Sequence, residues 1–160
     1  MLKSKLISFF NFTLVGILAF FLANCAKDDN AFLPYVKINL YISLVNQNHL
    51  KIPGNSIMFK NYGVKGVIVS CVNPDLAQYV AFDACCPNEK DYSGIVELEA
   101  VKNLTSPPGM VYSSGFFGKC NKCGSVFNLM GNGQPISGPA THYLQSYNIS
   151  TGFETLTVIN

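Results

Sequence analysis

Four cysteines set the terms for this chain. Cys85 and Cys86 stand side by side in Ala84-Cys85-Cys86-Pro87-Asn88, and Cys120 and Cys123 form a Cys-x-x-Cys in the run from Cys120 to Phe127. A small, Gly-rich chain of short strands would bring both loops to one end of its sheet, making a two-loop sulfur site. Four thiolates there can hold one metal ion, or pair as disulfides, and the residue types alone do not choose between them. One restriction is local: neighbouring residues on an extended backbone point to opposite sides, so Cys85 and Cys86 reach one ion together only if their loop bends.

The start of the chain argues for export. Lys3 and Lys5 precede an apolar stretch from Leu6 to Leu22, and Leu22-Ala23-Asn24-Cys25 follows. A basic start, an apolar run and a processing site read as a signal peptide over residues 1–24. The apolar run is 17 residues, short of the roughly 20 a spanning helix needs. The last four residues resemble a bacterial lipobox, with Asn24 where a small residue is usual, and the resemblance implies lipidation of Cys25. Residues 25–34, with Lys27-Asp28-Asp29, then form a tether, resembling the export tag of surface lipoproteins. The expected partner is the bilayer, the expected location the bacterial cell envelope, at the outer membrane facing the periplasm or the surface.

All eleven basic residues are Lys, so the forked guanidinium contacts favoured for phosphate and base recognition are missing, which excludes a typical nucleic-acid surface. Without Lys3 and Lys5, nine Lys face nine acids, and no charged partner is implied. No carboxylate pair, phosphate loop or nucleophile with an orienting base can be assembled, which points to a non-catalytic role.

Residues 35–160 read as one all-β domain. Val36 to Val45 alternates apolar and polar residues, the period of a half-buried strand. Val67 to Val72 is nearly continuous apolar, and strands are also expected at Ser56–Phe59, Gln78–Asp83, Gly94–Val101, Met110–Phe117 and Val126–Met130. Gly131-Asn132-Gly133 is a hairpin-type turn. Gln134 to Ala140 is Pro- and Gly-rich and is expected as a rigid loop. Leu144–Ile149 and Phe153–Ile159 should close the chain as a hairpin across Ser150-Thr151-Gly152.

Several of these residues together resemble the Rieske iron-sulfur domain, in particular its lipoprotein relatives in the Bacteroidetes. The resemblance rests on Ala81-Phe82-Asp83 before Cys86-Pro87, on Cys120, Gly124-Ser125 and Phe127, and on Gly131 to Gly133, Gly138-Pro139-Ala140, Leu144 and Tyr147. It implies an antiparallel β-sandwich or barrel with a smaller subdomain carrying the two site loops. In that family a [2Fe-2S] cluster takes one Cys and one His from each loop. The cysteine positions fall on Cys86 and Cys120, but the histidine positions fall on Asn88 and Cys123, so both imidazoles are replaced. The pair that some members join as a disulfide falls on Asp91 and Lys122. The resemblance also implies that Ser125, Phe127 and Pro139 surround and tune the site.

Three readings of Cys85, Cys86, Cys120 and Cys123 follow. They form a thiolate site for zinc or an iron-sulfur cluster, they pair as disulfides that staple the loops, or Cys120 and Cys123 work as a redox dithiol. The last lacks the helix that lowers a thiol pKa in such enzymes. Cys71 reads as a buried small hydrophobe. His142, after the Gly-Pro-Ala loop, is a possible extra ligand, and His49 sits in a turn. The functional expectation is a non-catalytic redox or metal-binding module with an unidentified redox or surface partner. The competing expectation is a cofactor-free structural or interaction domain.

Overall fold

The computed structural model describes residues 33–99 and 107–160. The signal peptide, Cys25, most of the tether, and the end of the strand expected at Gly94–Val101 lie outside the described residues. The described chain runs β1 (Asn39–Ser43), a short 3-10 turn (Asn48–Lys51), β2 (Ser56–Phe59), β3 (Val67–Asn73), β4 (Gln78–Asp83), β5 (Val96–Leu98), β6 (Met110–Ser113), β7 (Phe117–Cys120), β8 (Val126–Asn128), β9 (Gln134–Ser137), β10 (Ser146–Gly152) and β11 (Thr155–Ile159). Every pairing between these strands is antiparallel. The larger sheet has the order β1-β11-β10-β4-β3-β2-β6, and the smaller one β5-β7-β8-β9.

The alternation at the start of the domain does what its period dictates. Ile38, Leu40, Ile42 and Leu44 are buried, and they join Ile57, Val67, Val69, Leu156 and Val158 in one core. Since β1 and β2 stand five places apart in the sheet order, one shared core requires the sheet to curl into a half-barrel. A second core lies on the other face of β2, β3 and β4, beneath the small sheet. Met58, Ile68 and Phe82 supply its floor, and Val96, Leu98, Phe127 and Leu129 come down from above. These strands are therefore covered on both sides, which is why β3 is apolar at nearly every position rather than at alternate ones. An all-β fold with a large sheet and a small two-loop subdomain is what the resemblance implied.

Three local expectations are corrected. Met110–Phe117 is not one strand: it breaks into β6 in the large sheet and the start of β7 in the small one, so this segment carries the chain from one sheet to the other. Gln134–Ser137 is a strand rather than a loop, and it tolerates Pro135 because β9 lies at the sheet's edge, where a missing N–H costs no ladder bond. The last hairpin turns at Phe153-Glu154, three residues later than expected. There Glu154 adopts φ 51, its carbonyl accepts from Leu44 N at 2.9 Å, and its carboxylate pairs with Lys51 at 2.9 Å. Those anchors, rather than the nearby glycine, fix the turn.

Candidate metal centre

The first site loop is positioned by one buried carboxylate. Asp83, at the end of β4, is wholly buried and accepts from four donors: Val64 N at 2.7 Å, Lys65 N at 3.2 Å, Cys85 N at 2.8 Å and the Tyr147 hydroxyl at 2.7 Å. It thereby ties the turn before β3, the cysteine loop and β10 together. Because the loop is held extended, with Cys85 in a bridge to Ile95, Cys85 and Cys86 diverge.

The second loop folds back as a tight turn. Gly124 N bonds Cys120 O at 3.1 Å and Cys120 N bonds Ser125 O at 2.8 Å, with Gly124 at φ 73. This aims Cys123 toward the first loop. The sulfurs of Cys86, Cys120 and Cys123 all lie within 4.8 Å of one another, and those of Cys86 and Cys123 are 3.6 Å apart. Two thiolates on one tetrahedral zinc, each about 2.3 Å from the ion, stand about 3.8 Å apart, so this spacing matches a shared ion. Cys86 and Cys120 are buried and Cys123 is partly exposed. Backbone N–H groups of Asn88 and Ser125 donate to the sulfurs of Cys86 and Cys123 respectively.

The two thiols of this pair titrate in opposite directions. Burial pushes the Cys86 thiol well up, with its hydrogen bonds to Cys120 and Cys123 adding to the rise. At Cys123 a smaller burial penalty is outweighed by hydrogen bonds from the Ser125 side chain and backbone and from the other two cysteines, and its pKa is lowered.

Ser125 closes the site from above. Its buried hydroxyl oxygen accepts from Ala140 N at 2.9 Å and lies 3.2 Å from the Cys123 sulfur, so the Gly-Pro-Ala segment is pinned over the cysteines. The approach leaves no room for a side chain at Gly138, which has φ +91: a Cβ there would stand 2.5 Å from Ser125 Cα. Gly94 is a residue that sequence reasoning missed. A Cβ on it would come within 3.1 Å of the Cys120 sulfur and 3.0 Å of Cys86 Cβ, so the backbone itself packs against the sulfurs. Asn121 was missed as well. Its amide oxygen accepts from Ile95 N at 3.0 Å and its own N–H bonds Ile95 O at 2.9 Å, joining the second loop to the segment entering β5. A polar residue inside a Cys-x-x-Cys was its only signal.

The remaining expected residues fall elsewhere. Cys85 is buried but outside the three-sulfur group, and its pKa is raised to about 11, by burial first and then by the Asp83 charge. Asn88 and Pro139 are exposed, and Phe127 is buried in the second core. Where the resemblance places a disulfide, Lys122 and Asp91 form an exposed ion pair at 3.6 Å, which solvent screens. Cys71 is buried in β3 opposite Tyr79. His49 is occupied: its Nε2 donates to Ser113 O at 2.8 Å and its Nδ1 faces Asn55. His142 does not join the sulfurs. A cluster held by two thiolates and two imidazoles therefore does not fit the residues present, whereas a single ion on three thiolates does.

No protein-family model matches the chain, and no curated protein matches it. Among solved structures, the chain is similar to one in a complex of reduced oxygenase and oxidized ferredoxin in carbazole 1,9a-dioxygenase. The two share 21% identity over 78% of this chain and 94% of that one, with a TM-score of 0.47.

Proposed function

We propose that the protein is a Rieske-like, non-catalytic module of the bacterial cell envelope, lipid-anchored through Cys25, whose altered two-loop tip binds a metal ion on Cys86, Cys120 and Cys123. The observation that carries the reading is the convergence of those three sulfurs from two loops far apart in sequence. Thiolate donors favour soft or borderline ions, and zinc on three protein ligands keeps one position for water or another donor. Asn88 and Cys123, at the positions the resemblance gives to imidazoles, remove the conventional cluster from consideration. The partner is the bilayer at one end and a redox or surface protein at the other.

The test is to express the full chain, extract it without added metal, and measure bound metal and free thiols together. One equivalent of ion, with Cys86, Cys120 and Cys123 protected from alkylation until a chelator is added, is expected. Metal-free protein with those thiols freely reactive would refute the reading. The 3.6 Å approach of Cys86 to Cys123 favours a second reading, in which these two form a disulfide and the domain acts as a structural or interaction module. Loss of two thiols with no bound metal would identify it.

A further inference from the structure

We infer that the three-sulfur site is an exchange site for monovalent copper, with Cys123 as the ligand that lets go. This rests on the metal-binding reading above and adds which ion it takes and how it is released.

The donor count comes first. Among the described residues, no imidazole or carboxylate joins Cys86, Cys120 and Cys123, and Cys85 is held away by its bridge to Ile95 and its bond to Asp83. Three thiolates leave a structural zinc one ligand short, because such zinc sites are almost always four-coordinate. A soft monovalent ion is suited to an all-sulfur set. The surroundings are apolar: Cys86 and Cys120 pack with Ile68, Phe82, Ala84 and Val96, and Cys123 packs against the same core.

The second observation is asymmetry. Cys86 is fully buried and Cys120 nearly so, at 0% and 1% exposure, while Cys123 is partly exposed at the loop tip. The next residue, Gly124, faces open space: nothing lies within 4 Å of where its Cβ would be. Asn88, on the opposite loop, is also exposed. Among the described residues, the sulfur open to an incoming thiolate is therefore that of Cys123. The incoming thiolate bonds to the ion as the Cys123 sulfur–metal bond breaks, and the freed Cys123 thiolate takes up a proton from water. The ion stays monovalent and no electrons move. The acceptor is a protein or small molecule presenting thiolates.

The experiment loads the full chain with cuprous ion under anaerobic conditions and mixes it with bicinchoninate, a chromophoric cuprous chelator, over a range of concentrations. One equivalent is expected to bind and to leave at a rate proportional to chelator concentration. Cys123→Ser should weaken binding beyond the ~10 to 100-fold typical of changes around a metal's ligands, with thermal unfolding little altered. Bound copper released at a rate independent of chelator would overturn exchange at Cys123 and leave the metal site standing. Failure to bind cuprous ion by a chain that binds zinc would overturn the choice of ion. Failure to bind either would refute the metal-binding reading itself.

Discussion

The Tyr147 hydroxyl, on β10, donates a 2.7 Å hydrogen bond to the Asp83 carboxylate at the end of β4, across 64 residues of sequence. Through Asp83, the same interaction reaches Cys85 N and hence the backbone that presents Cys86.

Tyr147→Phe should therefore cost about 1.5 to 3 kcal/mol at neutral pH, the range for a hydrogen bond to a charged group, read by denaturant unfolding. Burial first, then the Asp83 hydrogen bond and charge, raise the Tyr147 pKa above its ordinary 10.0. The folded state holds that proton more tightly than the unfolded chain does. Its stabilisation is complete below about pH 10 and is lost as pH rises beyond that toward the folded value. The gap between wild type and Tyr147→Phe should accordingly narrow above pH 10. A gap that stays constant to pH 12 would contradict the assignment.

Ser125→Ala should leave the buried Ala140 N–H without an acceptor, costing about 1 to 3 kcal/mol. It also removes the hydroxyl beside Cys123, so metal affinity should fall about 10 to 100-fold in a competition titration.

Gly138→Ala forces a side chain into the Ser125 backbone at a positive φ. The strain should lower stability by about 1 to 3 kcal/mol. Because Ala140 then shifts away from Ser125, Cys123 should alkylate faster in the metal-free protein, as read by mass spectrometry.

Cys85→Ala should leave metal stoichiometry unchanged, whereas Cys120→Ser should abolish tight binding. Equal losses in both variants would mean that Cys85 reaches the ion after all.

Cys25→Ser should release the protein from the membrane fraction on cell lysis, if lipid attachment at that residue is the anchor. Unchanged retention in sedimentation would count against it.

Much of the fold was written in residue periodicity, since Leu40, Ile42 and their neighbours bury at alternate positions whatever the surrounding topology. The cysteine clusters likewise announced a two-loop site. What stayed hidden depends on tertiary context. Pro135 looks like a strand breaker until β9 is known to be an edge. Glu154 holds a turn through Lys51 and Leu44, both about a hundred residues earlier in the chain. Which of two adjacent cysteines faces the site depends on Ile95, a bridge partner just before β5 with no marker in the sequence. Gly94 is invisible for a related reason, because only the finished packing shows that its missing side chain makes room for sulfur.

Because β2, β3 and β4 serve as floor for one core and wall for the other, the cysteine-bearing sheet is no detachable appendage. Ile68 and Phe82 hold its underside in place whichever atoms occupy the tips. Such a platform anchors the two loops from below, so a substitution confined to their tips leaves the half-barrel beneath with its foundations intact.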